Sequence, residues 1–352
     1  MKGVWVSYIT LDMQNEDKNE KAFKNKIENI ISTSKENGFN TLIMQVRPFC
    51  DALYKSSVYP WSHILTGEQG KNPLYDPLKI ACDLCHKNNM KIHAWINPYR
   101  VSSESTPKEL SSNNPYVKDN SIGFIFNKNI YLDPSNQKAQ ELIVNGVEEI
   151  ANNYDIDGIQ FDDYFYPEES AEIDKEQYKA YKSSTPKPLS KEKWRMENVN
   201  TLIKRVYKAI NKINDNIEFG ISPQGNINNN KALGADLYTW CKEEGYIDYI
   251  CPQLYFSLDN PSLKFEESLN QWVDIEKHKN LKIYVGLAGY KAGSDKDSGT
   301  WLDNNDILKT EIKICEERKL EGIMLYSYES LISKENKEEI KNVSNYLNGV
   351  TQ

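Results

Sequence analysis

Short apolar runs alternate with longer amphipathic ones along the whole chain. The apolar runs predict strands at 3–8, 41–48, 91–98, 158–164, 218–224, 249–256, 282–290 and 322–328. Between them, apolar positions recur at helical spacing over 20–36, 77–88, 137–153, 191–214, 236–244, 263–277, 306–318 and 333–347. Capping residues open several of these segments, among them Asp76-Pro77, Asp133-Pro134-Ser135 and Asp303 with Asn304. Eight strand-helix repeats with nearly continuous apolar strands argue a parallel sheet, and the count argues closure into one (β/α)₈ TIM barrel spanning 1–352. An open doubly wound sheet is the alternative, but no G-x-G-x-x-G follows the first strand. The longest stretches without periodicity, 101–130 and 166–190, follow the third and fourth strands. They therefore belong to the C-terminal face, where barrel enzymes assemble their sites.

The strand ends concentrate the chemistry. Read in order they carry Ser7 and Tyr8; Gln45, Arg47 and then Asp51; His93, Trp95, Asn97, Tyr99 and Arg100; Gln160, Asp162, Asp163 and Tyr164; Ser222 and Gln224; Gln253 and Tyr255; Tyr290; and Tyr326, Tyr328 and Glu329. A barrel kept only for stability has no need of polar and aromatic residues gathered at one end. In D-G-I-Q-F-D-D-Y-F-Y-P, residues 157–167, alternation puts Ile159 and Phe161 on the helix-facing side and Gln160, Asp162 and Tyr164 on the axis side. Asp163 then faces outward unless the strand bends at its end. It either caps the following loop or pairs with Arg47 or Arg100, or it joins Asp162 in catalysis. A carboxylate at the end of an apolar strand is costly unless something uses it.

Composition narrows the partner. A net charge of −8 without a Lys/Arg cluster excludes nucleic acid, whose binding depends on neutralising phosphates. The 22 Tyr and 7 Trp suit stacking on sugar rings. Six sparse cysteines form no disulfide framework, and Cys82-Asp-Leu-Cys85 lacks a second ligand pair, so no metal or cofactor is expected. No apolar run reaches the length of a membrane span, and no signal peptide precedes the first strand, which begins almost at Met1. His93 shares a strand face with Trp95 and reads as a structural or substrate-contacting residue. Aromatic platforms, amides, Arg and paired carboxylates fit hydrolysis of a glycosidic bond.

Trp5-Val-Ser, Gln45-Val-Arg47-Pro48, His93-Ala-Trp95-Ile-Asn97-Pro-Tyr99-Arg100, Tyr131-Leu-Asp133-Pro134, Asp157-Gly-Ile-Gln-Phe-Asp162-Asp163-Tyr164 and Pro252-Gln253-Leu-Tyr255, in this order, resemble glycosyl hydrolase-like family 10. The resemblance implies a (β/α)₈ barrel that hydrolyses a bacterial polysaccharide, often envelope material, and a location in the cell envelope or outside the cell. The acidic doublet is also similar to that of hexosaminidases using their substrate's acetamido group, where one carboxylate orients the acetamido nitrogen and its neighbour is the acid/base. The Asp at the end of strand four is similar to the nucleophile of amylase-like barrels. Chitinase-like D-G-x-x-x-D-x-E is broken here by Tyr164. The fifth and seventh strands end without a carboxylate, so a second acid from elsewhere would be Glu329, Asp51 or Asp12, in that order.

The expectation is an endo-acting hydrolase of an amino-sugar glycan, peptidoglycan first. Asp162, Asp163 and Glu329 are its catalytic candidates. Arg47, His93, Trp95, Asn97, Tyr99, Arg100, Gln160, Tyr164, Gln224, Gln253, Tyr255 and Tyr326 are its substrate-binding candidates. The acidic balance suits a partly N-deacetylated glycan, whereas an acetamido nucleophile requires the acetylated one. Two rival readings are a non-catalytic carbohydrate-binding barrel and a phosphate-handling barrel using Gly286, Gly289, Gly293 and Lys291 after the seventh strand.

Overall fold

The computed structural model describes residues 1–350 apart from Ala171. Eight parallel strands close a barrel: β1 (Lys2–Val6), β2 (Thr41–Arg47), β3 (Lys91–Ile96), β4 (Gly158–Phe161), β5 (Glu218–Ile221), β6 (Tyr249–Ile250), β7 (Lys282–Leu287) and β8 (Gly322–Leu325). Each strand pairs with its neighbours in sequence, and β8 returns to β1 through Lys2↔Ile323, Gly3↔Met324 and Val4↔Leu325. The strands stop earlier than the apolar runs suggest, by one to six residues. Past these points only isolated bridges such as Gln224↔Gln253 and Gln253↔Gly286 continue the ladder, and polar side chains bond one another across the barrel mouth.

Outside the barrel lie α1 (Glu20–Glu36), α2 (Pro77–Lys87), α3 (Gln137–Asn153), α4 (Lys191–Ile213), α5 (Leu237–Lys242), α6 (Phe265–Val273), α7 (Ile307–Glu317) and α8 (Lys337–Leu347). Asn19, Asp76, Ser190 and Asp236 accept backbone N–H groups at the starts of α1, α2, α4 and α5. The cap expected from Asp133-Pro134-Ser135 belongs instead to Asn136, while Asp133 closes a turn on the Ser135 N–H at 2.8 Å. The loop over 101–130 is more ordered than its composition suggests. Arg100–Ser102, Gly123–Phe126 and Asn129–Leu132 form an antiparallel sheet. The loop over 166–190 contains a helix, Lys175–Ser184, that buries no residue and so left no apolar stripe in the sequence.

Two apolar regions hold the barrel. One lies between strands and helices; the other, inside the barrel, comprises Trp5, Ile43, Trp95, Tyr249, Cys251, Tyr284 and Met324. Glycines make room for its rings. A Cβ on Gly158 would meet the His93 ring at 2.5 Å, and one on Gly220 would meet the Tyr249 ring at 2.1 Å. Gly220→Ala is therefore expected to destabilise by about 1–3 kcal/mol, seen as a lower Tm in a thermal melt. Asp157, before β4, accepts the Ile92 N–H at 2.8 Å and contacts His86 Nε2 at 3.0 Å, so it joins β3 to β4 rather than serving the site. All six cysteines are free and buried, including Cys82 and Cys85 on α2. Among the described residues no group of three metal-ligating side chains occurs, and no helix is long and apolar enough to cross a membrane.

Candidate active site

The C-terminal mouth of the barrel opens into a cavity of about 290 Å³. Trp5, Trp95 and Gln160 line it from β1, β3 and β4, and Asp162, Asp163 and Tyr164 from just beyond β4. Ser222, Gln253, Tyr255, Tyr290 and Tyr326 complete the wall. Because β4 ends at Phe161, the alternation that would turn Asp163 outward no longer applies. Both carboxylates enter the cavity.

Asp162 is 5% exposed. Its Oδ2 accepts Trp95 Nε1–H at 3.0 Å and Asn97 Nδ2–H at 3.2 Å. Burial, and after it the charge of Asp163, pushes its pKa up to about 7, against the opposing pull of Arg100 and Trp95. Asp163 is half-buried, and its Oδ1 accepts Gln253 Nε2–H at 3.1 Å. Burial also raises Asp163, while the amides of Gln253 and Gln224 oppose the rise. Burial thus makes both neighbouring carboxyls resist ionisation.

Beneath the pair, Gln160 is fixed in three directions. It accepts Trp5 Nε1–H at 2.6 Å, and its amide nitrogen lies 3.3 Å from the Tyr249 hydroxyl and 3.4 Å from Met324 Sδ. The opposite wall is a cluster of tyrosines. The Tyr255 ring lies 5.8 Å from both Tyr290 and Tyr326, edge-on to the first and tilted by 34° to the second. Tyr326 also lies 6.0 Å from Trp5 and 6.4 Å from Trp95. Such surfaces can bind a sugar through its apolar faces while leaving amides and carboxylates for its hydroxyls.

The remaining candidates lie elsewhere. Arg47, 1% exposed, does not reach the cavity. Its Nη1 donates to the Asn97 and Pro98 carbonyls, and its guanidinium sits 4.4 Å from the Tyr59 ring centre. It holds the turn that presents Asn97 to Asp162. His93 is buried a layer below, 3.1 Å from the Tyr249 hydroxyl, and burial lowers its pKa to about 4, so it is a neutral packing residue at neutral pH. Tyr99 is wholly buried in the outer core. Asn97 is buried and acts on Asp162 rather than lining the wall, and Arg100 stays outside the lining, its guanidinium over the Phe49, Tyr164 and Tyr8 rings.

Glu329 does not line the cavity. It is bound by the hydroxyls of Ser7, Thr10 and Ser327 and faces a wider, more open groove of about 620 Å³ with Ile9, Lys26 and Ile332. Glu329→Gln is expected to keep kcat within about tenfold of the parent, or about 1.4 kcal/mol of barrier, in a reducing-end assay. Asp51 is buried among Phe49 N–H, His63 and Gln69, and Asp12 closes a turn on Gln14. Lys291, the cation of the phosphate reading, is bound to Asp297 at 2.9 Å and to the Tyr255 carbonyl at 2.8 Å.

Trp5, Ser222 and Tyr290 line the cavity but were not among the sequence candidates. The Ser222 hydroxyl has no hydrogen-bond partner among the described residues. Ser222 and Tyr290 were visible as strand-end residues. Trp5 lies within β1 rather than at its end, and its indole reaches the cavity where it donates to Gln160.

Comparisons with known proteins agree with this architecture. The family model for glycosyl hydrolase-like 10 matches residues 1–303. The chain is similar to glycosyl hydrolase YngK of Bacillus subtilis (strain 168), with 32% identity over 94% of this chain and 68% of that protein. It is also similar to glycosyl hydrolase DigH of Escherichia coli (strain K12), with 34% identity over 88% and 76%. Among solved structures, the glycoside hydrolase domain of PgaB (BpsB) from Bordetella bronchiseptica shares the fold at a TM-score of 0.62, with 12% identity and 98% of each chain covered. The catalytic domain of β-amylase from Paenibacillus polymyxa does so at a TM-score of 0.62, with 11% identity over 99% and 98%. The chain belongs to the glycosyl hydrolase-like 10 family of glycoside hydrolases.

Proposed function

We propose that this enzyme cleaves an N-acetylated amino-sugar polysaccharide of the bacterial envelope, peptidoglycan first, with the substrate's own acetamido group as nucleophile. The observation that carries the reading is the adjacent pair Asp162 and Asp163, the only carboxylates lining the aromatic cavity among the described residues. A retaining mechanism with an enzyme nucleophile, or an inverting one, needs two carboxyls flanking the bond from opposite sides. Neighbours on one loop suit a different division of labour.

Asp163, the more accessible member, gives its proton to the glycosidic oxygen as the bond to the anomeric carbon breaks. The acetamido oxygen closes on that carbon, and the cation so formed is held by Asp162, which accepts a hydrogen bond from the acetamido N–H. Trp95 and Asn97 keep Asp162 oriented and favour its charge at that moment. Water then opens the ring, with Asp163 as base. Tyr255, Tyr290 and Tyr326 form the platform under the sugar, and a polymer of this kind places the enzyme at the cell envelope or outside the cell.

The test is digestion of purified peptidoglycan, N-acetylated and N-deacetylated, alongside chitin oligosaccharides, with new reducing ends identified by mass spectrometry. Cleavage restricted to acetylated material supports the reading. Equal cleavage of deacetylated strands removes the acetamido step, and no cleavage of any of the three removes the envelope glycan.

A further inference from the structure

The carboxyl of Asp163 is gripped by one amide. β6 is only two residues long, yet Gln253, three residues past it, is tied to both sides by isolated bridges with Gln224 and Gly286. Its backbone N–H donates to the Pro223 carbonyl at 3.0 Å, and the Gly286 N–H donates to the Pro252 carbonyl at 2.9 Å. Gly225 lets these segments close, since a Cβ there would meet the Gln253 carbonyl oxygen at 2.1 Å. From this mount, Nε2 donates to the Ser222 carbonyl at 2.9 Å and to Asp163 Oδ1 at 3.1 Å. The reverse amide orientation would set Oε1 against two acceptors, so the hydrogen-bond network decides which atom faces Asp163. Both amide hydrogens are thereby engaged.

A carboxylic acid has one good acceptor oxygen, its carbonyl, and one oxygen that carries the proton. An N–H fixed on Oδ1 makes Oδ1 the carbonyl and leaves the proton on Oδ2. We propose that Gln253 is a positioning residue for the general acid, holding Oδ1 of Asp163 so that the transferable proton stands on Oδ2. The inference rests on the reading of Asp163 as proton donor and adds to it the residue that aims the proton. The same amide favours the ionised form of Asp163, more strongly than Gln224 does. The titratable groups facing Asp163 are Asp162 and Tyr164 after β4 and Tyr255 after β6. Burial drives both tyrosines upward, Tyr164 to about 12, so a pH limb near neutrality belongs to the acidic doublet.

The test measures kcat and KM against pH on N-acetylated glycan strands and chitin oligosaccharides. It compares the parent enzyme, Gln253→Met, Gln253→Ala, Asp163→Asn and the double variant Asp163→Asn/Gln253→Met. Methionine keeps the length of glutamine without its donor. Both Gln253 variants are expected to lose kcat by about 10–100-fold, the cost of a misplaced reacting group, with KM within about twofold of the parent. The basic limb of kcat moves to higher pH by about half a unit to one unit, because a donor to the ionised form is gone. In the Asp163→Asn background, Gln253→Met costs no further kcat, since no proton is left to aim.

A higher KM with kcat and the basic limb unchanged makes Gln253 a sugar ligand and overturns the positioning role, leaving Asp163 as proton donor. Losses that multiply in the double variant overturn it in the same way. Full activity of Asp163→Asn, or no cleavage by the parent, removes the underlying reading and the inference with it. Should Gln253→Met fail to fold, Gln253→Ala takes its place in the pH profile and in the double variant.

Discussion

Asp163→Asn is expected to reduce kcat by about 10²–10⁴-fold, the usual contribution of a positioned general acid, with little change in glycan affinity. The side chain is nearly isosteric and its contacts survive. Gln253 Nε2 still finds an oxygen at the position it now occupies, 3.1 Å from Asp163 Oδ1. What disappears is the proton that leaves for the glycosidic oxygen. Substrates with an activated aryl leaving group need little protonation, so the variant should recover much of its rate on an N-acetylglucosaminide of that kind. A variant as active as its parent on natural glycan would end the assignment of Asp163 as proton donor.

The second large effect concerns stability, and its sign comes from the same burial. The folded-state pKa of Asp162, about 7, stands above the ordinary 3.8. Between these values the folded protein binds more protons than the unfolded chain, so this residue makes stability fall as pH rises through the interval and become level above it. The full difference corresponds to at most about 4 kcal/mol, at about 1.4 kcal/mol per pKa unit. Asp162→Asn removes the buried charge while keeping an oxygen for Trp95 and Asn97. Its melting temperature is expected to exceed that of the parent at pH 8, with most of the gain gone at pH 4. The same variant should lose turnover, because an amide cannot stabilise the developing cation as a carboxylate does. A variant less stable than its parent by the same margin at both pH values would show that the carboxylate carries no burial penalty.

The two experiments separate the roles of adjacent residues. Burial raises both carboxyls, so both Asn variants should lose activity and gain stability above neutrality, Asp162→Asn through the fully buried group and Asp163→Asn by removing the proton donor. Destabilised, functional groups of this kind are a common feature of active sites.

Much of the site was legible along the chain because strand ends in a parallel barrel converge by construction. Gln160, Asp162, Tyr164, Gln253, Tyr255 and Tyr326 could be named from their positions after apolar runs, and all line the cavity. The misplacements share one cause. Arg47, His93 and Tyr99 have functional-looking chemistry, but their depth and direction depend on partners from other strands: the turn at Asn97 and Pro98, Tyr249, and the outer core. Glu329 is only a few residues past β8, yet the short helix Tyr328–Ile332 carries it onto the flank beside Ser7 and Thr10.

Local rules therefore determined the repeat of eight strands and eight helices, the closure of the barrel, and the end of it that carries the chemistry. Hydrophobic periodicity and strand parity depend only on near neighbours. Tertiary structure alone decided where each strand ended, and with it the direction of Asp163. It also decided which buried groups hold the doublet, and that Arg100 lies among three rings while its charge acts on Asp162. Those outcomes depend on contacts between residues far apart in sequence, such as Trp95 with Asp162 and Asp163 with Gln253, whose distances arise only when the barrel closes.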